Sequence, residues 1–377
     1  MANSWRISAL AERHRALGSK LEDWNGMGTA WTYESIDLAD AHEAIRSRAG
    51  LMDVSGLRKV HYVGPHAESL LEYATSRDIS KVYPGKSVYA TLLNEAGKFV
   101  DDCVIYRTGP NAFMVVHGAG NGYELLVRWA QGRQVAVLFD DDLHDLSLQG
   151  PLAVDFLAEQ VPGIRDLAYF HHVQTRLFGC PVMISRTGYT GERGYEIFCK
   201  AADAPLIWDS ILALGKPMGI IPCAFTALDW LRVESSLLFF PYDNSEKYPF
   251  ADQPAGDTLW ELGLDFTVSP TKSEFRGGLE HARLKGKERF RIFGVLLDAD
   301  QAAAEGDSLW ADGKQVGVIT CAMYSRLTGK SMAIARLDVP YAEQGCALQV
   351  QGSLQVDAIA HTLPFDDPEK TKRTAKG

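Results

Sequence analysis

Apolar positions along the chain change period several times, and each change marks an element. Ile7, Leu10, His14 and Leu17 fall at helical intervals within residues 4–17, and Ser8 stands where a cap belongs, which predicts a short amphipathic helix. Residues 22–33 gather Trp24, Trp31 and Tyr33 around Gly26 and Gly28, too irregularly for one element. Asp40 to Gly50 reads as a helix that stops at its glycine, Lys59 to Val63 alternates as a strand, and Ala67 to Ala74 returns to the helical period. Tyr89 to Arg107 alternates on both sides of Asn94-Glu95-Ala96-Gly97, the pattern of two strands joined by a turn. A strand over Ala112 to His117, a helix over Asn121 to Gln131, a strand over Asp145 to Gln149 and a helix after Pro151 follow.

This rhythm predicts an α+β protein with antiparallel sheets. No regular strand and helix alternation of the dinucleotide-binding kind is present, and no Gly-x-Gly-x-x-Gly opens a helix. The expected division is a unit over 1–155 that need not be continuous, a second α+β unit over 156–276, and a unit over 277–365. The second unit ends in an irregular stretch from Pro241 to Arg276. From Arg291 short strands alternate with glycine turns, which predicts a small β-barrel. Residues 366–377 are polar and unpatterned, so a flexible tail is expected there.

Composition narrows the function classes. A chain of 377 residues, 46% hydrophobic and 23% charged, is long enough for two or three domains with full cores. Its apolar runs are too short to span a bilayer, and Met1 to Trp5 lacks a leader pattern, so a cytoplasmic protein is expected. The six cysteines form no metal-ligand or disulfide pattern, and no metal is expected. A net charge of −10 argues against nucleic-acid or anionic-membrane surfaces as partners. Any anionic ligand must be held by local basic groups.

The densest chemistry lies between Arg186 and Phe198. Gly188, Gly191 and Gly194 recur every third position before a strand that begins Tyr195-Glu196, so the backbone can approach a flat ligand and Glu196 can accept two parallel N–H bonds. The same spacing also describes a hairpin turn with a surface glutamate. Asp101 and Asp102 end a strand, and neighbours on a strand face opposite ways, so one of them at most enters a shared pocket. A turn-capping acidic pair is the other reading.

The run Arg186 to Phe198 resembles the signature of the folate-dependent aminomethyltransferase family, the glycine-cleavage T-protein and its relatives. Collinear similarity continues through Leu51 to Ser55, Arg77 to Ser80, Tyr89 to Asp102, Leu148 to Pro151, Leu231 to Ser235, Leu259 to Leu264 and Val316 to Thr320. The resemblance implies a three-domain cloverleaf around a central folate site, with tetrahydrofolate as co-substrate. It makes Glu196 the contact to the pterin, Asp101 the catalytic aspartate near N5, and Tyr89, Tyr169, Phe170 and Tyr189 the aromatic walls. Relatives also occur behind a flavin amine oxidase domain; no such domain is expected ahead of these motifs, and no flavin is expected.

Departures from the family pattern fall in the expected site. His117 stands where T-proteins have asparagine, Leu228 where an arginine meets the folate tail, and Cys321 to Arg326 where a Ser-Gly-Thr-Phe-Ser-Pro run is usual. Arg232 is kept among the folate contacts. His117 is expected as a second catalytic residue, a proton donor, unless it is a hydrogen-bonded core histidine. Trp24, Trp31, Tyr33 and Trp260 are expected to hold a sulfonium or ammonium donor by their ring faces. The expected function is a demethylase that moves a methyl group from a small S-, N- or O-methylated compound to N5. The alternatives are the glycine-cleavage aminomethyltransferase, whose partner is a lipoyl carrier protein, and a non-catalytic folate sensor.

Overall fold

The computed structural model describes residues 5–240, 242–243, 247–248, 256–272 and 274–376. About a third of the stretch expected to be irregular, Pro241 to Arg276, therefore lies outside the described residues. Two larger sheets, antiparallel but for one parallel edge pair in the second, a small three-stranded sheet and a barrel organise the rest.

The first sheet orders its strands Ser87–Leu93, Phe99–Gly109, Ala112–His117, Arg58–Val63 and Ala136–Phe139. Strict alternation gives each strand two characters. Cys103, Ile105, Phe113 and Val115 pack with Leu70, Leu71 and Leu126 of the helices Ala67–Ala74 and Gly122–Ala130. The opposite face carries Asp102, Val104, Tyr106, Met114 and Val116.

The second sheet orders His172–Leu177, Cys180–Ser185, Gly194–Lys200, Leu143–Gln149, Gly50–Asp53 and Ile221–Pro222. Two of these strands, Gly50–Asp53 and Leu143–Gln149, come from the segment expected to form the first unit. The chain crosses between sheets because both strands offer apolar residues to the core of the second. Leu51, Leu146 and Leu148 join Ile184, Tyr195, Ile197 and Trp208 there, each fully buried Leu or Ile contributing on the order of 1.5–3 kcal/mol. The two sheets meet across Tyr106, Met114, Val116, Met183 and Phe198.

Six strands from Phe290–Leu297 to Gln355–His361 close a barrel around Val295, Leu309, Ile319, Ala335 and Leu348. No helix among the described residues is long and apolar enough to cross a membrane.

Two expectations change. The helix expected over 4–17 begins only at Ala11; Arg6–Ile7 instead pairs in parallel with Met27–Gly28, and Ile7 is 70% exposed. Edge pairing overrides the helical spacing there. The tail, expected to be flexible, is docked: Thr371–Thr374 is a helical turn, Arg373 is buried, and Lys372 Nζ lies 3.3 Å from Glu192 and 2.7 Å from Asp366. Arg186 donates to the carbonyls of Arg373 and Ala375.

Candidate functional site

The glycine-rich loop is built around one side chain. Gln149 Nε2 donates to the Thr187 carbonyl at 3.1 Å, and its Oε1 accepts from Thr190 Oγ1 at 3.2 Å. A Cβ on Gly188 or Gly194 would stand 2.1 or 2.0 Å from the Gln149 amide, so the loop can wrap it only with glycine at both places. The next strand then delivers Glu196 to the face that looks at the first sheet. Glu196 Oε2 accepts from Tyr106 at 3.3 Å and from Thr187, while Oε1 makes no hydrogen bond among the described residues. Burial raises this carboxyl above its ordinary range, and the two hydrogen bonds oppose the rise.

The acidic pair divides as strand alternation requires, Asp101 to the helix-covered face and Asp102 to the face that looks at the second sheet. Asp101 is fully buried on the helix-covered face, where its carboxylate accepts the N–H groups of Asp102 at 3.0 Å, Gly120 at 3.1 Å and Gly122 at 3.0 Å. It anchors the start of the helix Gly122–Ala130, a place the helix dipole favours for an anion. Asp102 faces the other sheet and accepts from Tyr89 Oη at 2.7 Å. Its carboxyl is pushed up to about 7, first by burial and then by the charge of Asp101, with the Tyr89 bond opposing.

His117 lies on the same face as Asp101, away from Asp102 and Glu196. It is fully buried, with Nε2 3.5 Å from Tyr62 Oη and Nδ1 3.6 Å from Asp101. The odd-numbered parity of residues 113, 115 and 117 puts it under the helices, the placement of the core histidine that the sequence left open beside the proton-donor role.

The aromatic residues sort in the same way. Tyr89 and Tyr189 both border Asp102, whose charge raises each phenol after the larger effect of burial. Tyr189 also donates to the Leu238 carbonyl. Tyr169 packs edge-on against Phe170, rings 4.7 Å apart, and with Thr187, Gly188, Gly191 and Arg373 bounds a cavity of about 10 Å³. Trp24 and Trp31 bracket Phe225 at 4.7 and 4.5 Å and share an apolar cluster with Met52, Leu228 and Tyr189. Tyr33 is drawn away, its hydroxyl 2.8 Å from His14 Nδ1, whose Nε2 is 3.0 Å from Asp53. Trp260 stacks on His281 at 4.8 Å, apart from the other three. The four rings therefore do not form one cage. Arg232 is spent within the protein: Nε meets Asp229 and Nη1 meets Asp243, each at 2.6 Å.

Sequence reasoning named Asp102 only as one of a pair and did not single out Tyr106, Thr187 or Gln149, which the structure places around Glu196 and the glycine loop. The period-two run Asp102, Val104, Tyr106 carried the signal for the first two, since Tyr106 reaches Glu196 and must share a face with whichever aspartate does. Together the residues fit the tetrahydrofolate that the resemblance implies: an acceptor carboxylate with a free oxygen, a loop whose glycines bring backbone close, aromatic walls, and a second carboxyl poised near neutrality. Among the described residues no group of three or more His, Cys, Asp and Glu is placed to hold a metal ion.

Comparisons with known proteins agree in extent and kind. Residues 10–272 match the GCVT N-terminal domain, and residues 291–367 match the glycine cleavage T-protein C-terminal barrel domain. The chain is 81% identical over 377 residues, the whole of both chains, to the heme-dependent oxidative N-demethylase gamma subunit of Ectopseudomonas mendocina. It is 32% identical to the trimethylamine-oxide aldolase of Ruegeria pomeroyi over 93% of this chain, which spans 46% of that protein. The crystal structure of glycine cleavage system aminomethyltransferase T from Bartonella henselae superposes with a TM-score of 0.85 at 26% identity, covering 96% of this chain and 98% of that one.

Proposed function

The chain belongs to the glycine-cleavage T-protein family, as a folate-dependent transferase with that family's fold, and from this premise we propose that it takes the one-carbon unit released when a methylated amine is oxidatively demethylated. The observation that carries the proposal is Asp102, on the face that looks toward the second sheet and Glu196, its carboxyl pushed up to about 7 by burial and the charge of Asp101 against the opposing Tyr89 bond. The relatives named for amine chemistry supply the substrate class.

Oxidation of an N-methyl group by two electrons leaves carbon at the level of formaldehyde, and that oxidation belongs to a heme-bearing partner. Tetrahydrofolate, when bound, supplies two ring-side nitrogens that take up formaldehyde as a methylene bridge with loss of one water. Glu196 holds the amino edge of the pterin through its free oxygen, oriented by Thr187 and Tyr106. Tyr89, Tyr169 and Tyr189 wall the ring and exclude water. Asp102 carries the proton that lets water depart and accepts one from N5, a role that suits a carboxyl at about 7. Asp101 keeps the loop 118–122 in place and so fixes the strand that bears Asp102.

The test mixes the protein with tetrahydrofolate and either formaldehyde or an N-methyl amine plus the oxidising partner, reading folate products by mass against the uncatalysed rate. Faster formation of 5,10-methylenetetrahydrofolate, lost in Asp102→Asn, is expected. Formation of 5-methyltetrahydrofolate from the unoxidised amine would instead establish direct methyl transfer, and dependence on a lipoyl carrier would overturn the amine assignment.

A further inference from the structure

One carboxyl on the site face has no task in the reading above. Asp145 is fully buried, and neither of its side-chain oxygens has a hydrogen-bond partner among the described residues. Burying a polar group without a partner costs on the order of 1–3 kcal/mol, so such a group is retained where something else satisfies it. Strand register places it. Ser147 pairs with Glu196, and Asp145, two residues along the same strand, pairs with Phe198. Asp145 and Glu196 are therefore diagonal neighbours on one face, about 7 Å apart.

The charged groups around Asp145 come from four strands. Glu196 and Asp53 oppose its ionisation, Lys59 favours it, and Tyr106 bonds to Glu196. Lys59 is itself buried and gives Nζ to the Ser55 carbonyl at 2.7 Å, with no carboxylate within 4.0 Å among the described residues. Burial, then Glu196, hold the Asp145 carboxyl well above the ordinary range. In its protonated form Asp145 has one O–H to donate, and Glu196 is the acceptor beside it.

We propose that Asp145 is a specificity-determining contact for the pteridine ring, an assignment that rests on the folate reading. The 2-amino-4-oxo edge presents two donors, the amino group and N3–H, followed by one acceptor, the 4-oxo oxygen. The free oxygen of Glu196 accepts from those donors, and protonated Asp145 beside it presents the donor that completes the match.

The experiment measures binding of 5-formyltetrahydrofolate to the full chain across pH, comparing wild type with Asp145→Asn, Asp145→Leu and Glu196→Ala. Asparagine keeps a donor of the same shape and cannot ionise. At pH below the Asp145 titration, Asp145→Asn should bind within about threefold of wild type and Asp145→Leu about tenfold or more weakly, a loss of one donor. As pH rises through the Asp145 titration, wild type should weaken while Asp145→Asn holds its affinity. Equal binding by wild type and Asp145→Leu, or an alkaline limb shared by wild type and Asp145→Asn, overturns the proposal while loss of binding in Glu196→Ala leaves the folate reading standing. No binding by wild type overturns both.

Discussion

Asp102→Asn separates what the site needs from what the fold tolerates. The carboxyl sits at about 7 in the folded protein against an ordinary 3.8. Between those values the unfolded chain has released its proton and the folded chain has kept it. The native state then binds more protons than the unfolded state, so stability falls as pH rises through the interval. At 1.36 kcal/mol per pH unit, the distance from 3.8 to about 7 gives an upper bound of about 4 kcal/mol, fully expressed only above the folded value. Asparagine retains an oxygen for the Tyr89 hydroxyl and removes the charge that Asp101 repels. Denaturant titration should therefore find the two proteins equally stable near about pH 4, with the variant ahead by roughly 1–4 kcal/mol at about pH 8. Turnover should fall by about a hundredfold or more, the usual contribution of a positioned acid or base. A stability difference that stays constant across this range would refute the reasoning, because it would mean that Asp102 titrates normally.

Gly194→Ala brings a Cβ to 2.0 Å from the Gln149 amide and should lower stability by about 1–3 kcal/mol in a thermal melt while weakening folate binding. Arg232→Met leaves Asp243, which is fully buried, without its ion-pair partner, and urea titration should show a loss of about 3–5 kcal/mol. His117→Asn should leave the rate of product formation within about twofold, since the ring lies on the helix-covered face; a loss of about a hundredfold would return it to the chemistry.

How far the site was legible follows from which rules were local. Alternation along Phe99–Gly109 was readable, and it dictated that Asp101 and Asp102 part company. The choice between them was not local, because it depends on which sheet face the helices Ala67–Ala74 and Gly122–Ala130 cover. The choice between the two readings of His117 was not local for the same reason, as it shares the parity of Val115 in that core. The glycine spacing announced a close approach at Gly188 and Gly194, yet the group approached is Gln149, a residue of another strand. The barrel was legible because its glycine turns and short strands recur within a few residues. The second sheet was not, since Gly50–Asp53 and Leu143–Gln149 reach it only through long-range pairing. Tyr33 and Trp260 looked like cage residues by composition, but each had a nearer partner in His14 and His281.

The tie between Arg232 and Asp243 reaches further than the site. Asp243 accepts from Arg232, from the Phe239 N–H at 2.8 Å and from the Thr320 hydroxyl, so one carboxylate joins the helix Phe225–Ser235, the segment that follows it and a strand of the barrel. Barrels are therefore not interchangeable parts. A chimaera that grafts a relative's barrel onto this chain inherits a sound scaffold only if the graft supplies a hydroxyl at the position of Thr320; without it, a buried anion at the seam loses one of its three donors, and recombination between family members would select for junctions that keep the two together.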